Sequence, residues 1–130
     1  MLGSMSDQAA ARALRDALRA GLTAALKTRD ADARDALRTA IAAVDNAEAV
    51  AAPDGLPPAS SARIAGAVSG LGAAEAPRRR LSAADLREIL RAQVAEQTQE
   101  AERYEALGQP DAARRLRARA RTLTAYLAEG

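Results

Sequence analysis

The chemistry open to this chain is limited first by the side chains that it lacks. Its 130 residues include no histidine and no cysteine, which removes imidazole bases, thiolate nucleophiles, disulfides and the usual ligands of transition metals. No glycine-rich phosphate loop, nucleophile elbow or pair of catalytic carboxylates can be picked out. The sequence therefore predicts a non-catalytic protein that needs no metal and no other cofactor.

Arginine supplies nearly all of the positive charge, because Lys27 is the single lysine. Eight arginines form the candidate RNA-binding set: Arg78, Arg79 and Arg80 before the predicted third helix, and Arg114, Arg115, Arg117, Arg119 and Arg121 in the predicted fourth. Guanidinium groups bind nucleic-acid phosphates in a salt-dependent and sequence-neutral way. On a helix, residues 114, 117 and 121 share one side, and residues 115 and 119 share a neighbouring side.

The same arginines have a second interpretation, which is pairing with acids of the third helix. That helix carries more acids than arginines, for a net charge of −3, and the fourth has a net charge of +4. Charges that flank a helix seam help to select the pairing, although each exposed ion pair contributes only about 0 to 1 kcal/mol. The formal charge of the chain is only +2, which does not predict a general nucleic-acid binder. Both interpretations stay open.

Other polar groups give weaker signals. Asp45, Asn46 and Glu48 close the second predicted helix, but a site for a hard cation needs more convergent oxygen atoms, so we expect a solvated helix end. Tyr104 and Tyr126 are expected at the edge of the core, which leaves no aromatic platform for stacking bases.

Hydrophobic periodicity predicts an all-α fold with a first hairpin in residues 6–50. Its first helix is expected to start from a cap at Ser6 or Asp7 and to run to about Thr28, and the second, capped by Asp30, to run to about Val50. The predicted core positions recur every three or four residues: Leu14, Leu18, Leu22 and Leu26, then Leu37, Ile41 and Val44, with Ala33, Ala40 and Ala47. Gly21 inside the first helix indicates that a neighbouring helix passes close to it.

A second hairpin is predicted in residues 81–130, with clear local signals at its helix ends. Ser82 and Asp85 fit a capping box, and Gly108 and Pro110 fit a left-handed stop followed by the first residue of the next helix. The expected core positions are Leu86, Leu90, Val94, Gln97, Ala101 and Tyr104, then Ala113, Leu116, Ala120, Leu123 and Leu127.

The two hairpins are expected to form one small bundle of about four main helices. A Pro/Gly-rich linker at residues 51–80 separates them, with room for a short extra helix at 60–68. Residues 1–5 look like a cloning remnant, which leaves 6–130 as the single domain. No run approaches the length of a membrane span and no secretory signal is recognisable, so we expect a cytoplasmic protein.

Several segments resemble the GatB/YqeY family, whose members are related to the tail domain of the GatB subunit of tRNA amidotransferase. The first matching block contains Leu37-Arg38, Ala42-Ala43-Val44 and Asn46-Ala47-Glu48, and the next begins at Leu81-Ser82-Ala83-Ala84-Asp85-Leu86. The last two contain Tyr104-Glu105-Ala106-Leu107-Gly108-Gln109-Pro110 and Leu123-Thr124-Ala125-Tyr126-Leu127. Their order and spacing cover about two thirds of the chain and are similar to the helical N-terminal part of that family.

The resemblance implies a helical module connected with glutamine-dependent tRNA amidotransferases, with a proposed role in tRNA contact and no established activity of its own. The C-terminal subdomain of the family has no counterpart before Gly130, and arginines replace the acids usual in the fourth helix. The implied partners are tRNA or a tRNA-bound enzyme. The alternative is a protein-interaction or self-associating module, and carbon–nitrogen ligase activity with glutamine as amide donor ranks last.

Overall fold

The computed structural model of the protein describes residues 2–50 and 80–128, which form four α-helices. The helices are α1 (Leu2–Thr28), α2 (Ala31–Val50), α3 (Ala83–Ala106) and α4 (Pro110–Ala128). No strand occurs in these described ranges, and the helices pack on one another. The prediction of a small all-α bundle is therefore confirmed. The extra helix expected at 60–68, and the linker that contains it up to residue 79, lie outside the described residues.

Two hairpins build the bundle. The most extensive contacts join α3 to α4, followed by those between α1 and α2. Between the hairpins, α2 packs mainly on α4 and α1 mainly on α3, while the two diagonal pairs touch least. The starts of α1 and α3 lie together, because the backbone N–H of Ala83 donates to Oδ1 of Asp7 at 3.3 Å. The two interhelical turns consequently lie towards the opposite end of the bundle.

The core consists of leucine and alanine with one valine. Its larger cluster contains Leu18, Ala36, Leu37, Ala40, Leu90 and Leu123, and its smaller cluster contains Ala11, Val44, Ala83 and Leu86. Most predicted core positions are buried or half-buried, but Leu26 is 48% exposed and Ala25 is buried in its place. A spacing of four residues drifts by about 40° per step around a helix of 3.6 residues per turn. Along the series Leu14, Leu18, Leu22 and Leu26, the side-chain direction therefore turns away from the core, and Leu26 faces solvent.

The predicted start of α1 is wrong. The helix is already formed at Leu2, so Ser6 and Asp7 lie inside it and do not cap it. The Asp7 carboxylate instead accepts from Ala83 at the first turn of α3, where a negative charge is favourable beside unpaired backbone N–H groups. Asp7, which was predicted to cap α1, therefore accepts a hydrogen bond at the start of α3 instead.

The other helix ends follow the local sequence signals. In the capping box of α3, the Asp85 N–H donates to Oγ of Ser82 at 3.0 Å and the Ser82 N–H donates to Oδ2 of Asp85 at 3.1 Å. Gly108 has φ 75° after α3, and Pro110 is the first residue of α4. At α2, Oδ1 of Asp30 accepts from the N–H of Ala33 at 3.1 Å. These predictions are confirmed because they depend on neighbours in the chain.

The close approach predicted at Gly21 is made by Tyr126. A Cβ atom at residue 21 would collide with the Tyr126 hydroxyl oxygen and would lie 3.2 Å from Cδ1 of Leu37. The missing side chain in α1 therefore makes room for a ring from α4. This contact also fixes how far the two hairpins are displaced along their axes.

Candidate functional site

The five arginines of α4 do not form one free basic surface. Arg117 is held by Glu105 of α3, with Nη1 donating to Oε2 at 2.9 Å and Nη2 donating to Oε1 at 3.0 Å. The hydrogen bonds and charge of Arg117 lower the pKa of the Glu105 carboxyl. Arg114 donates to Asp111 of its own helix at 2.7 Å. Arg117 is thus the one member of the α4 set that pairs with an acid of α3 in the described structure.

Arg119 crosses to the first hairpin. Its Nη2 donates to Oδ2 of Asp35 at 3.3 Å, and its Nε lies 3.7 Å from Oδ1 of Asp32. The pKa of Asp35 is lowered first by a hydrogen bond from Arg34, and the charge of Arg119 adds to that effect against desolvation. Sequence reasoning placed the partners of this arginine in α3 and missed both acids at the start of α2.

The remaining arginines of the candidate RNA-binding set have different positions. Arg115 and Arg121 are exposed and have no ion pair among the described residues. Six positions separate them, which places them about 120° apart around α4. Arg80 is exposed just before α3, whereas Arg78 and Arg79 lie outside the described residues. The free guanidinium groups of α4 therefore point to different sides of the helix.

A buried ion pair joins α1, α2 and the start of α3. Nη2 of Arg15 donates to Oε2 of Glu48, and the same oxygen accepts from the backbone N–H of Leu81 at 3.4 Å. Arg15 is only 7% exposed. The expectation of a solvated end of α2 is therefore wrong for Glu48, although Asp45 and Asn46 are exposed. The available signal was the position of Arg15 between Leu14 and Leu18, on the flank of an apolar face.

The residues that carry the GatB/YqeY resemblance divide by burial. Leu37 lies in the core, and Ala43, Glu48, Tyr104, Tyr126 and Leu127 are half-buried. Gly108 provides the left-handed residue after α3. In the first matching block, Arg38, Ala42 and Asn46 are exposed, and they recur every fourth residue along the outer side of α2. Packing explains the buried and half-buried residues, and turn geometry explains Gly108. Neither explains why Arg38, Ala42 and Asn46 occupy exposed positions.

The second hairpin extends past the first at the end that carries both turns. Tyr126 packs on Gly21, which lies seven residues before the end of α1. Arg119, seven residues before Tyr126, contacts the first turn of α2. Both contacts place Arg119 level with the α1–α2 turn. Residues 110–118 of α4, together with the end of α3, therefore project beyond that turn by about 13 Å at 1.5 Å per residue.

The projecting part, which we call the overhang (residues 102–118), has apolar side chains at and below its tip. Leu107 at the tip is 60% exposed, and Leu26 beside the α1–α2 turn is 48% exposed. Tyr104 is half-buried, and the guanidinium carbon of Arg103 lies 5.5 Å from the centre of its ring. At the opposite end of the bundle Val50 is 80% exposed. Leu26 and Leu107 are thus exposed apolar side chains at the end of the bundle that carries both interhelical turns.

Across residues 2–50 and 80–128 there is no group of three or more acidic, histidine or cysteine side chains arranged to hold a metal ion. None of the helices in these ranges is both long and apolar enough to cross a lipid bilayer. In comparisons with known proteins, the chain matches no protein-family model, no curated protein and no solved structure.

Proposed function

We propose that the protein is a non-catalytic cytoplasmic accessory module of the GatB/YqeY kind. It acts by binding a tRNA-dependent amidotransferase rather than by chemistry of its own. The overhang, with Leu26 and Leu107, is the surface that binds the enzyme. The observation that carries the proposal is the displacement of the two hairpins, because it leaves Leu26, Leu107 and the projecting ends of α3 and α4 without a covering element.

The contacts between the matching blocks support the resemblance on which the partner rests. Glu48, from the first block, accepts from the N–H of Leu81, the first residue of the second block, 33 residues further along the chain. Tyr126, from the last block, lies against Gly21 and packs on the core cluster that contains Leu37 of the first block. Blocks that are separate in sequence thus belong to one packed unit.

Binding to the amidotransferase of the same organism tests the proposal. In biolayer interferometry, we expect the full chain to bind the purified enzyme, and a variant with Leu26→Ser and Leu107→Ser to bind at least about tenfold more weakly, since each exposed leucine at a contact carries about 1 to 2 kcal/mol. The matched control is Val50→Ser, which removes the more exposed apolar side chain at the opposite end. Its affinity is expected to equal that of the wild type.

Three results would contradict the proposal. If the wild type does not bind the enzyme, the amidotransferase is not its partner. If the Leu26/Leu107 variant and the Val50 variant lose the same affinity, the overhang is not the binding surface. Sedimentation equilibrium of the chain alone gives the third: a dimer abolished by the two leucine substitutions, without binding to the enzyme, would make this surface a self-association site.

RNA contact through α4 is the second candidate function, because Arg115 and Arg121 have no ion partner among the described residues. If they contact tRNA phosphates, Arg115→Ala with Arg121→Ala should lower the slope of log affinity against log salt by somewhat less than two units. The free energy of unfolding should barely change. We expect weak binding at most, since the net charge is only +2.

The matched control for RNA is Arg114→Ala with Arg117→Ala. Both side chains are already engaged by carboxylates, and both pairs are exposed, so this variant should lose little stability and little RNA affinity. A gel-shift titration with tRNA at low and moderate salt compares the two variants. No binding at low salt, or equal losses in the two variants, would exclude a specific role for the free arginines.

A further inference from the structure

An open cleft lies beside the first half of α1, at the end of the bundle opposite the overhang. Its volume is about 550 Å³, and its lining residues are Gln8, Ala9, Arg12, Ala13, Arg15, Asp16 and Arg80. Three guanidinium groups therefore face a space that contains one carboxylate. None of these arginines belongs to α4, and Arg12 and Arg15 were not among the candidate binding residues.

Arg15 is a fixed cation at the back of the cleft. It is 7% exposed, and Glu48 holds its Nη2 atom. A guanidinium has five N–H donors, and the Nε donor is buried without an acceptor in the described part of the chain. One carboxylate thus balances the charge of Arg15 without using all of its donors. Burial also strengthens the attraction of such a group for an anion.

Arg12 and Arg80 supply the exposed charges at the front of the cleft. Neither forms an ion pair within the described residues. Arg12 lies three residues before Arg15 and therefore on the same side of α1. Arg80 is brought to this side because the N–H of the next residue, Leu81, bonds the same Glu48 oxygen that holds Arg15. The Arg15–Glu48 pair therefore fixes Arg15 and holds the backbone next to Arg80 at this side of α1.

We propose that this cleft is a binding site for a phosphate group. Arginines bind phosphate through planar, multiple hydrogen bonds. Because Glu48 balances Arg15, the charges left at the cleft are those of Arg12 and Arg80 against the single Asp16 carboxylate, a net of one positive charge. Phosphate occupies the space between Arg12 and Arg80, with Arg15 behind it. The group belongs either to a small phosphorylated molecule or to an RNA backbone. The site is independent of the overhang and of the arginines of α4.

Inorganic phosphate titrated into the ¹⁵N-labelled full chain tests the site. We expect saturable shifts of the backbone amide signals of residues 8–16 and 80–82 in ¹H–¹⁵N spectra, which chloride at the same ionic strength does not cause. Arg12→Ala with Arg80→Ala should weaken phosphate binding about tenfold or more, since it removes charge-assisted hydrogen bonds. Arg38→Ala with Arg91→Ala, which removes two exposed arginines outside the cleft, is the matched control and should bind normally.

Competition then identifies the source of the phosphate. An RNA oligonucleotide that displaces phosphate with a steep salt dependence, and loses affinity in the Arg12/Arg80 variant, assigns the site to a nucleic-acid backbone. Displacement by a mononucleotide but not by the oligonucleotide assigns it to a small molecule. Shifts that chloride reproduces, or equal affinities for the two paired variants, would overturn the proposal. The Leu26/Leu107 variant should bind phosphate normally, so failure of this site is distinguishable from failure of the proposed function.

Discussion

Replacing Leu123 by alanine is expected to lower the free energy of unfolding by about 2 to 5 kcal/mol. Leu123 is 0% exposed and packs with Leu18, Leu37 and Leu90, so each of the four helices contributes to its surroundings. A core of leucine and alanine has few large side chains to close around a cavity, which places the loss well within this range. Urea unfolding followed by circular dichroism measures it.

Leu107→Ala is the matched control, because the same side chain is 60% exposed at the tip of the overhang. Its cost should stay within about 0.5 kcal/mol. A cost below that level for Leu123→Ala, or equal costs for the two variants, would mean that the phase of α4 differs from the one described.

Replacing Glu48 by alanine is expected to cost about 3 kcal/mol. The substitution leaves the guanidinium of Arg15 buried without its carboxylate, and it also removes the acceptor for the N–H of Leu81. Both hairpins lose a connection at the end where α3 begins. The loss should appear in urea unfolding as a lower midpoint with an unchanged slope.

The double variant Arg15→Met with Glu48→Leu separates the charge from the packing. Because an apolar pair of similar size often replaces a buried ion pair without loss, this variant should recover most of the stability of the wild type. Asp45→Ala removes an exposed carboxylate of the same helix and should cost within about 0.5 kcal/mol. Equal effects of Glu48→Ala and Asp45→Ala would contradict the role of the ion pair.

Features set by neighbours in the chain could be predicted from the sequence. The capping box at Ser82, the left-handed Gly108 and the start of α4 at Pro110 each depend on a few adjacent residues. The four helices follow from periodicity, and Gly21 correctly indicated close packing. The start of α1 was missed because Asp7, a good capping residue locally, is used by a distant helix.

Features set by the register between the hairpins could not be predicted. The Arg119–Asp35 pair and the hydrogen bond from Leu81 to Glu48 join the two hairpins, whose relative displacement no local pattern specifies. The overhang and the cleft beside Arg12 follow from the same displacement. The sequence therefore identified the arginines of α4 as a group, but only the packed structure shows which of them form ion pairs and which do not.

Hydrogen–deuterium exchange of the full chain, alone and with the amidotransferase of the same organism, tests the central claim most directly. The enzyme is expected to slow exchange at residues 25–31 and 102–112, which include the α1–α2 turn and the tip of the overhang. Exchange at residues 8–16 should stay unchanged. Protection confined to the opposite end of the bundle, or no protection at saturating enzyme, would contradict the assignment of the overhang as the surface that binds the enzyme.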